Sequence, residues 1–186
     1  MMNASNFYMQ HTVFGPIAIV WSVYRGEPKI LRILLPKPGM PVEEIRAVSY
    51  SGGILKSCPE IERTARDVEA FLSGSDICFS LDIVRLDICS VFQQKVLKAE
   101  HAIPRGAVST YQRIARYLGN PDAARAVGAA LSANPFPVLV PCHRAIRTDR
   151  TLGGFQGGLA MKRNLLEMEG IGFDARGRVE AETLFY

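Results

Sequence analysis

The sequence holds no CxxC pair, and its three histidines are scattered. A structural zinc site needs four closely placed Cys or His ligands, so no metal is expected. Cys58, Cys78 and Cys89 are read as reduced, buried small hydrophobes of a cytoplasmic chain, and Cys142 is set apart by its context. Long hydrophobic runs are missing too. The longest, PIAIVW and PVLVP, fall far short of the roughly 20 apolar residues that span a bilayer, so no membrane association is expected. MMNASNFYMQH at the N-terminus has no basic start and no continuous apolar segment, and no secretion signal is expected there. There is no internal repeat, no low-complexity stretch, and no GKT or GKS behind a glycine loop, which excludes a phosphate-cradling P-loop. Nor is there a strong excess of one charge. Twenty-two basic residues against 18 acidic ones give +4, which permits a polyanionic partner without singling one out.

What the chain does carry is unevenly distributed. From Arg105 to Arg150 there are seven arginines and two acids, Asp122 and Asp149, a local excess that points to phosphate contact. A length of 186 residues suits one ordinary domain or two small ones. Residues 13–35 contain two β-rich runs around Arg25-Gly26-Glu27-Pro28, a hairpin pattern. A helix is predicted within 59–73, with Ile61, Ala65, Val68 and Leu72 on one face and Ser73-Gly74 as the stop. CFSLDIVRLDI is read as a strand or extended connection. This first half forms a small α+β unit without a catalytic constellation.

The second half changes character near residue 89. Ser90-x-x-Gln93 is a capping box for a helix that must end before Ile103-Pro104, and Ser109-x-x-Gln112 is a second one. Gly119 closes the helix that follows, and Asn120 with Pro121 opens another. Two short helices across a Gly-Asn turn outline a helix-turn-helix. The second, PDAARAVGAALSAN, turns Ala126, Ala129 and Ala133 outward with Arg125 at the flank, and Ala124, Val127, Gly128 and Leu131 inward. An alanine face cannot read base edges in the major groove, but it allows close approach in a narrow groove.

Residues 140–158 read VPCHRAIRTDRTLGGFQGG. Val138-Leu139-Val140-Pro141 has a buried-strand pattern that would deliver Cys142 at its end. A thiol reacts as thiolate, which nearby positive charge or a base favours, and His143 and Arg144 are the candidates. Neighbours on a strand point to opposite faces, so a bridging water is the natural link between Cys142 and His143. A histidine base also wants an acceptor on its other nitrogen. Glu169, in the last turn of a helix predicted over 159–169, is the candidate although a carboxylate there opposes the helix dipole. The glycines of the loop let backbone amides approach a flat ligand.

These residues resemble the O6-alkylguanine-DNA alkyltransferases (methylated-DNA–protein-cysteine methyltransferases). The resemblance rests on Asn134-Pro135-x-Pro137, Val140-Pro141-Cys142-His143-Arg144, Gly153-Gly154-Phe155-Gln156-Gly157-Gly158 and Lys162-x-x-Leu165-Leu166-x-x-Glu169-Gly170. Ile103-Pro104-x-Gly106, Thr110-Tyr111-x-x-Ile114-Ala115 and Ala124-Arg125-Ala126-Val127-Gly128 precede them in the family's order. It implies an α+β chain: a ribonuclease H-like α/β domain over 1–88, then a mainly helical, winged-helix-like domain with the helix-turn-helix over 89–186. It further implies repair of double-stranded DNA by a monomer that flips O6-alkylguanine, and O4-alkylthymine, out of the duplex. Cys142 would accept the alkyl group irreversibly, without a cofactor. His143 would take the thiol proton through a water, Glu169 would orient His143, and Tyr111 would donate toward guanine N3. Arg125 would fill the gap in the base stack, with Ala124, Ala126, Gly128 and Arg144 also at the DNA. Asn134, Pro137, Phe155, Gln156, Gly157 and Lys162 would build the pocket. Phe155 replaces a common tyrosine, and Gln156, where a small residue is usual, would narrow or polarise the pocket. The rivals are a non-catalytic alkylated-DNA binder of the same fold, which would lack the thiol, and a Cys-His hydrolase, which would need the histidine to meet the thiol directly.

Overall fold

Strand β2 (Ile17–Tyr24) is the most apolar stretch of the chain, and its first six residues are all buried, as befits a strand covered on both faces. It turns into β3 (Glu27–Leu34) through Arg25 and Gly26, at φ 53° and 84°. Two consecutive positive φ values are what a tight hairpin turn with the right twist requires, and glycine adopts the second without strain. The hairpin expected from the sequence is therefore present. β1 (Asn6–Gln10), for which no sequence signal was read, pairs antiparallel with β2, and β4 (Ile54–Leu55) adds in parallel to give the order β3-β2-β1-β4. Residues 6–44, 53–181 and 184–186 are described in this computed structural model.

Helix α1 (Pro59–Leu72) spans the predicted range and buries Ile61, Ala65, Val68, Phe71 and Leu72. Its N-cap, Cys58, supplies no side-chain bond, a loss of about 1 kcal/mol. Burying each large apolar side chain contributes about 1.5–3 kcal/mol, so the apolar face decides that the helix forms. The strand or extended segment read from CFSLDIVRLDI is instead two 3-10 turns, Leu81–Ile83 and Leu86–Ile88. Short polar side chains win there. Ser80 Oγ accepts from the Asp82 amide, and Arg85 pairs with Asp87 at 2.6 Å, leaving only an isolated bridge between Ile30 and Val84.

The chain divides into two compact units between Ile88 and Cys89, but Pro135–Leu139 belong with the first unit. There the Pro135 carbonyl accepts from the Ile33 amide at 2.8 Å. The second unit contains helices α2 (Val91–His101), α3 (Tyr111–Tyr117), α4 (Ala124–Ser132) and α5 (Gly158–Met168). Two short pairs join them: β5 (Ser109–Thr110) parallel to β6 (Ala145–Ile146), and β7 (Gly172–Phe173) antiparallel to β8 (Val179–Glu180). Val108, Ile146, Leu166, Ile171 and Val179 form a core beneath them. Mixed helices and strands make the chain α+β. Of the three cysteines read as buried, Cys89 is buried, whereas Cys58 is half-buried and Cys78 is exposed.

Ser90 caps α2 as expected, accepting from the Gln93 amide. The second capping box is displaced by one residue. Thr110, not Ser109, accepts from the Arg113 amide, because Ser109 lies in β5 and donates to the Phe185 carbonyl. Gly119 follows α3 at φ 77°, the left-handed stop that glycine tolerates. Asn120 does not cap α4 directly. A 3-10 turn, Pro121–Ala123, intervenes before α4 begins at Ala124. The strand expected over Val138–Pro141 does not form. Pro135, Pro137 and Pro141 have no amide to donate to a ladder, and Val138 takes φ 77°.

Candidate active site

In place of that strand, residues Cys142–Arg144 form a single 3-10 turn. Its bonds are local, from the Cys142 amide to the Val140 carbonyl and from the Arg144 amide to the Pro141 carbonyl, both 2.8 Å. Successive side chains then diverge by about 120° rather than 180°. Asn134 Nδ2 donates to the Val140 carbonyl at 3.2 Å and so ties down the segment leading into the turn. Cys142 is only 5% exposed. Burial pushes its pKa up to about 11, although a hydrogen bond from the Asn134 side chain and the charge of Lys162 act the other way. The resting group is a thiol. A thiolate forms only if a base takes the proton.

That base is held beside it. His143 is fully buried, and its Nε2 lies 2.9 Å from Glu169 Oε1. Glu169 also receives Arg144 Nε at 2.9 Å and Arg144 Nη2 at 2.8 Å, while Arg144 Nη1 donates to the Ile103 carbonyl at 2.6 Å. As the C-cap of α5, a carboxylate opposes the dipole by about 0.3–1 kcal/mol. Three hydrogen bonds to charged groups contribute about 1.5–3 kcal/mol each, so they dominate and turn Glu169 inward. Burial would raise the Glu169 carboxyl, but the bonds from His143 and Arg144 outweigh it and bring it down to about 2. An ionised Glu169 accepts, so His143 Nε2 carries the hydrogen and Nδ1 is the basic nitrogen. Burial lowers the imidazole pKa, with Glu169 opposing, which keeps the ring neutral and able to take a proton.

Tyr111 opens α3 and is half-buried. Burial, with Glu100 and Cys142 adding to it, pushes the phenol up to about 12, so it keeps its proton and serves as a donor. Gly153 stands against it at φ 67°, where an added Cβ would lie 2.5 Å from the Tyr111 hydroxyl oxygen. Only glycine fits that wall. Phe155 presents its ring edge-on to His143, with centroids 6.3 Å apart at 85°. A cavity of about 350 Å³ is bounded by Arg147, Leu152, Gly153, Gly154, Phe155 and Leu159. Cys142 does not line it.

The remaining expectations divide. Lys162 is buried and donates to the carbonyls of Ala145 at 2.6 Å and Gly154 at 3.3 Å, joining the reactive turn to the glycine loop. Gln156 donates to the carbonyls of Ser132 at 3.3 Å and Asn134, so its amide is taken by the end of α4. Arg125, Ala126 and Ala129 are exposed on α4, Ala124 and Gly128 are half-buried, and Gly128 faces the Tyr111 ring. Arg144, expected at the DNA, is corrected: it is buried, and its guanidinium is engaged by Glu169 and Ile103. It is likewise not aimed at the thiol. Pro137 packs with the first unit. Glu100 was missed. It is fully buried near this cluster, and a charged residue following Val96 and Leu97 at helical spacing was the available signal. Among the described residues no group of three or more His, Cys, Asp or Glu could hold a metal, and no helix is long and apolar enough to cross a membrane.

A family model described as 6-O-methylguanine DNA methyltransferase, DNA binding domain, matches residues 91–171. The methylated-DNA–protein-cysteine methyltransferase of Haemophilus influenzae is 38% identical over 128 residues, 69% of this chain and 71% of that protein. The chain belongs to the methylated-DNA–protein-cysteine methyltransferase family. The Methanothermobacter thermautotrophicus member is 39% identical over 116 residues, covering 62% of this chain and 65% of its own length. Just under two thirds of that relative is therefore spanned. Among solved structures, Mycobacterium tuberculosis O6-methylguanine methyltransferase superposes with TM-score 0.70 at 29% identity, covering 89% of this chain and 92% of that one. A structure of Mycobacterium tuberculosis OGT in complex with DNA gives TM-score 0.68 at 29% identity, over 88% and 92%. The region that the family model matches, residues 91–171, includes Cys142.

Proposed function

We propose that this chain repairs double-stranded DNA by moving the alkyl group of O6-alkylguanine, and of O4-alkylthymine, to its own Cys142. It does so once, as a cytoplasmic monomer, with a ribonuclease H-like first domain and a winged-helix-like second. α4 enters the minor groove on its alanine face, and Arg125 occupies the place of the extruded base. His143 Nδ1 takes the thiol proton through a water, and Glu169 stabilises the imidazolium that results. The sulfur then attacks the alkyl carbon. The S–C bond forms as the C–O6 bond breaks, and the bonding pair leaves on guanine. Tyr111 lowers that charge by hydrogen bonding to N3. The product is a thioether, which offers no leaving group for regeneration.

The observation that carries this reading is a buried thiol on the same turn as a histidine whose far nitrogen is held by an ionised carboxylate. A thiol pushed up to about 11 suits a reaction in which the base acts only when substrate is in place. The test is to incubate the protein with duplex DNA containing O6-methylguanine and take intact and peptide masses. One methyl group per chain, on the peptide bearing Cys142, is expected. An unmodified Cys142 peptide overturns the reading, and repair of more lesions than protein molecules points to a hydrolase.

A further inference from the structure

Helix α2 carries an acid on its buried face. Val96, Leu97, Ala99 and Glu100 are all buried, and Glu100 is 0% exposed. Among the described residues, neither of its carboxyl oxygens has a hydrogen-bond partner. The charged form of such a group loses its water, and burial then raises its pKa more than distant charges lower it. Helix α2 packs against the Cys142–Arg144 turn and against α3. The charges of Lys162 and Arg144 act on Glu100, and Glu100 in turn acts on Cys142, Tyr111 and Tyr186. Main-chain links hold them near. The Ile103 amide donates to the Glu100 carbonyl at 3.1 Å, and the Ile103 carbonyl accepts from Arg144. Lys162 Nζ donates to the Ala145 carbonyl, and the Ala145 backbone lies close enough to the Glu100 carboxyl to pull its pKa down.

Lys162 gives its protons to two carbonyls rather than to Glu100, so the two do not form a salt bridge. Burial pushes the Glu100 carboxyl up to about 8, against the pull of Lys162 and Arg144. We propose that Glu100 is a positioning residue for alkyl transfer: its buried carboxyl holds a proton while Cys142 reacts, and loss of that proton opposes the Cys142 thiolate. The step is a plain ionisation. The O–H bond breaks, the proton goes to solvent, the electron pair stays on the carboxylate, and no bond to substrate forms. With the proton in place, the uncompensated charge beside the sulfur is the Lys162 ammonium. Without it, a carboxylate offsets that ammonium. Burial brings Lys162 down to about 8, so it titrates in the same range. In either state of Lys162, however, ionised Glu100 adds one negative charge that an amide would not.

This inference rests on the alkyl-transfer reading, and its test separates the two. Single-turnover methyl transfer by the wild type and by Glu100→Gln is followed from pH 6 to pH 9.5. The ratio of variant to wild-type rate is expected to grow by about ten-fold across that range, the equivalent of one pK unit at the thiol. A ratio that stays constant overturns the proposal, because a purely structural role would scale all rates alike. Infrared difference spectra of wild-type protein carrying carbon-13 glutamate decide the point without the variant and without transfer. A neutral carboxyl signal that disappears only near pH 8 supports it. If every glutamate has ionised by about pH 6, as free carboxyls do, the proposal fails even where transfer proceeds.

Discussion

Glu169 is the residue on which the site's geometry converges, since His143 and Arg144 both end on it. Its folded-state pKa of about 2 lies below the free value of 4.5, so the ionised form is what folding favours. The sign follows from proton counts: between these values the unfolded chain binds the proton and the folded chain does not. The contribution is therefore fully present above about pH 4.5 and is lost as pH falls toward 2. A shift of that size corresponds to about 3 kcal/mol. Urea unfolding of the wild type and Glu169→Gln should differ by about that amount at pH 6 and converge near pH 2. A difference that persists at pH 2 would mean that packing, not charge, is what the substitution removes. At the residue scale the sequence placed Cys142, His143 and Tyr111 in one unit, and the structure gathers them there, with their roles left to the proposed reaction. The sequence misled on Arg144, because adjacency to Cys142 says nothing about where a long side chain ends. The acid that captures it lies 25 positions away.

Helix α4 is the element whose exposed surface carries one long side chain, Arg125, among alanines. Arg125 stands at its start among Ala126 and Ala129, all exposed, and is the one side chain there that could replace an extruded base in the stack. Unstacking a base costs a few kcal/mol, so a side chain that fills the gap matters only when the base comes from a duplex. Arg125→Ala is accordingly expected to slow methyl transfer from duplex DNA roughly ten-fold or more while leaving transfer from free O6-benzylguanine unchanged. Equal losses on both substrates would remove that role. Helices were legible here because caps and apolar spacing are written within a few residues, as in α1 and α2. The segment 138–141 was not, since an apolar run looks alike in a strand and in a proline-interrupted turn. Gln156 teaches the same lesson. Its identity suggested a polar pocket wall, yet its amide is bound to the last carbonyls of α4, and only the tertiary fold brings these together.

For the molecule as a whole, the sequence pattern changes near residue 89, where the chain passes from one compact unit to the other, but nothing in it marks the return of 135–139 to the first unit. That stretch reads as apolar sequence continuous with the reactive turn. Its membership is set by Ile33, about 100 positions earlier, whose amide finds the Pro135 carbonyl. The excursion bears on how the protein can be cut. A fragment beginning at residue 89 would include all of the proposed chemistry but would also carry Phe136, Val138 and Leu139, buried in the full chain, with nothing to cover them. Such a fragment should self-associate on size-exclusion chromatography more than the full chain does. A monodisperse, monomeric fragment would show that the excursion can fold back on its own. The border between the two units is therefore a place where the polypeptide can be divided on paper but not at the bench: five residues would be inherited by the wrong half.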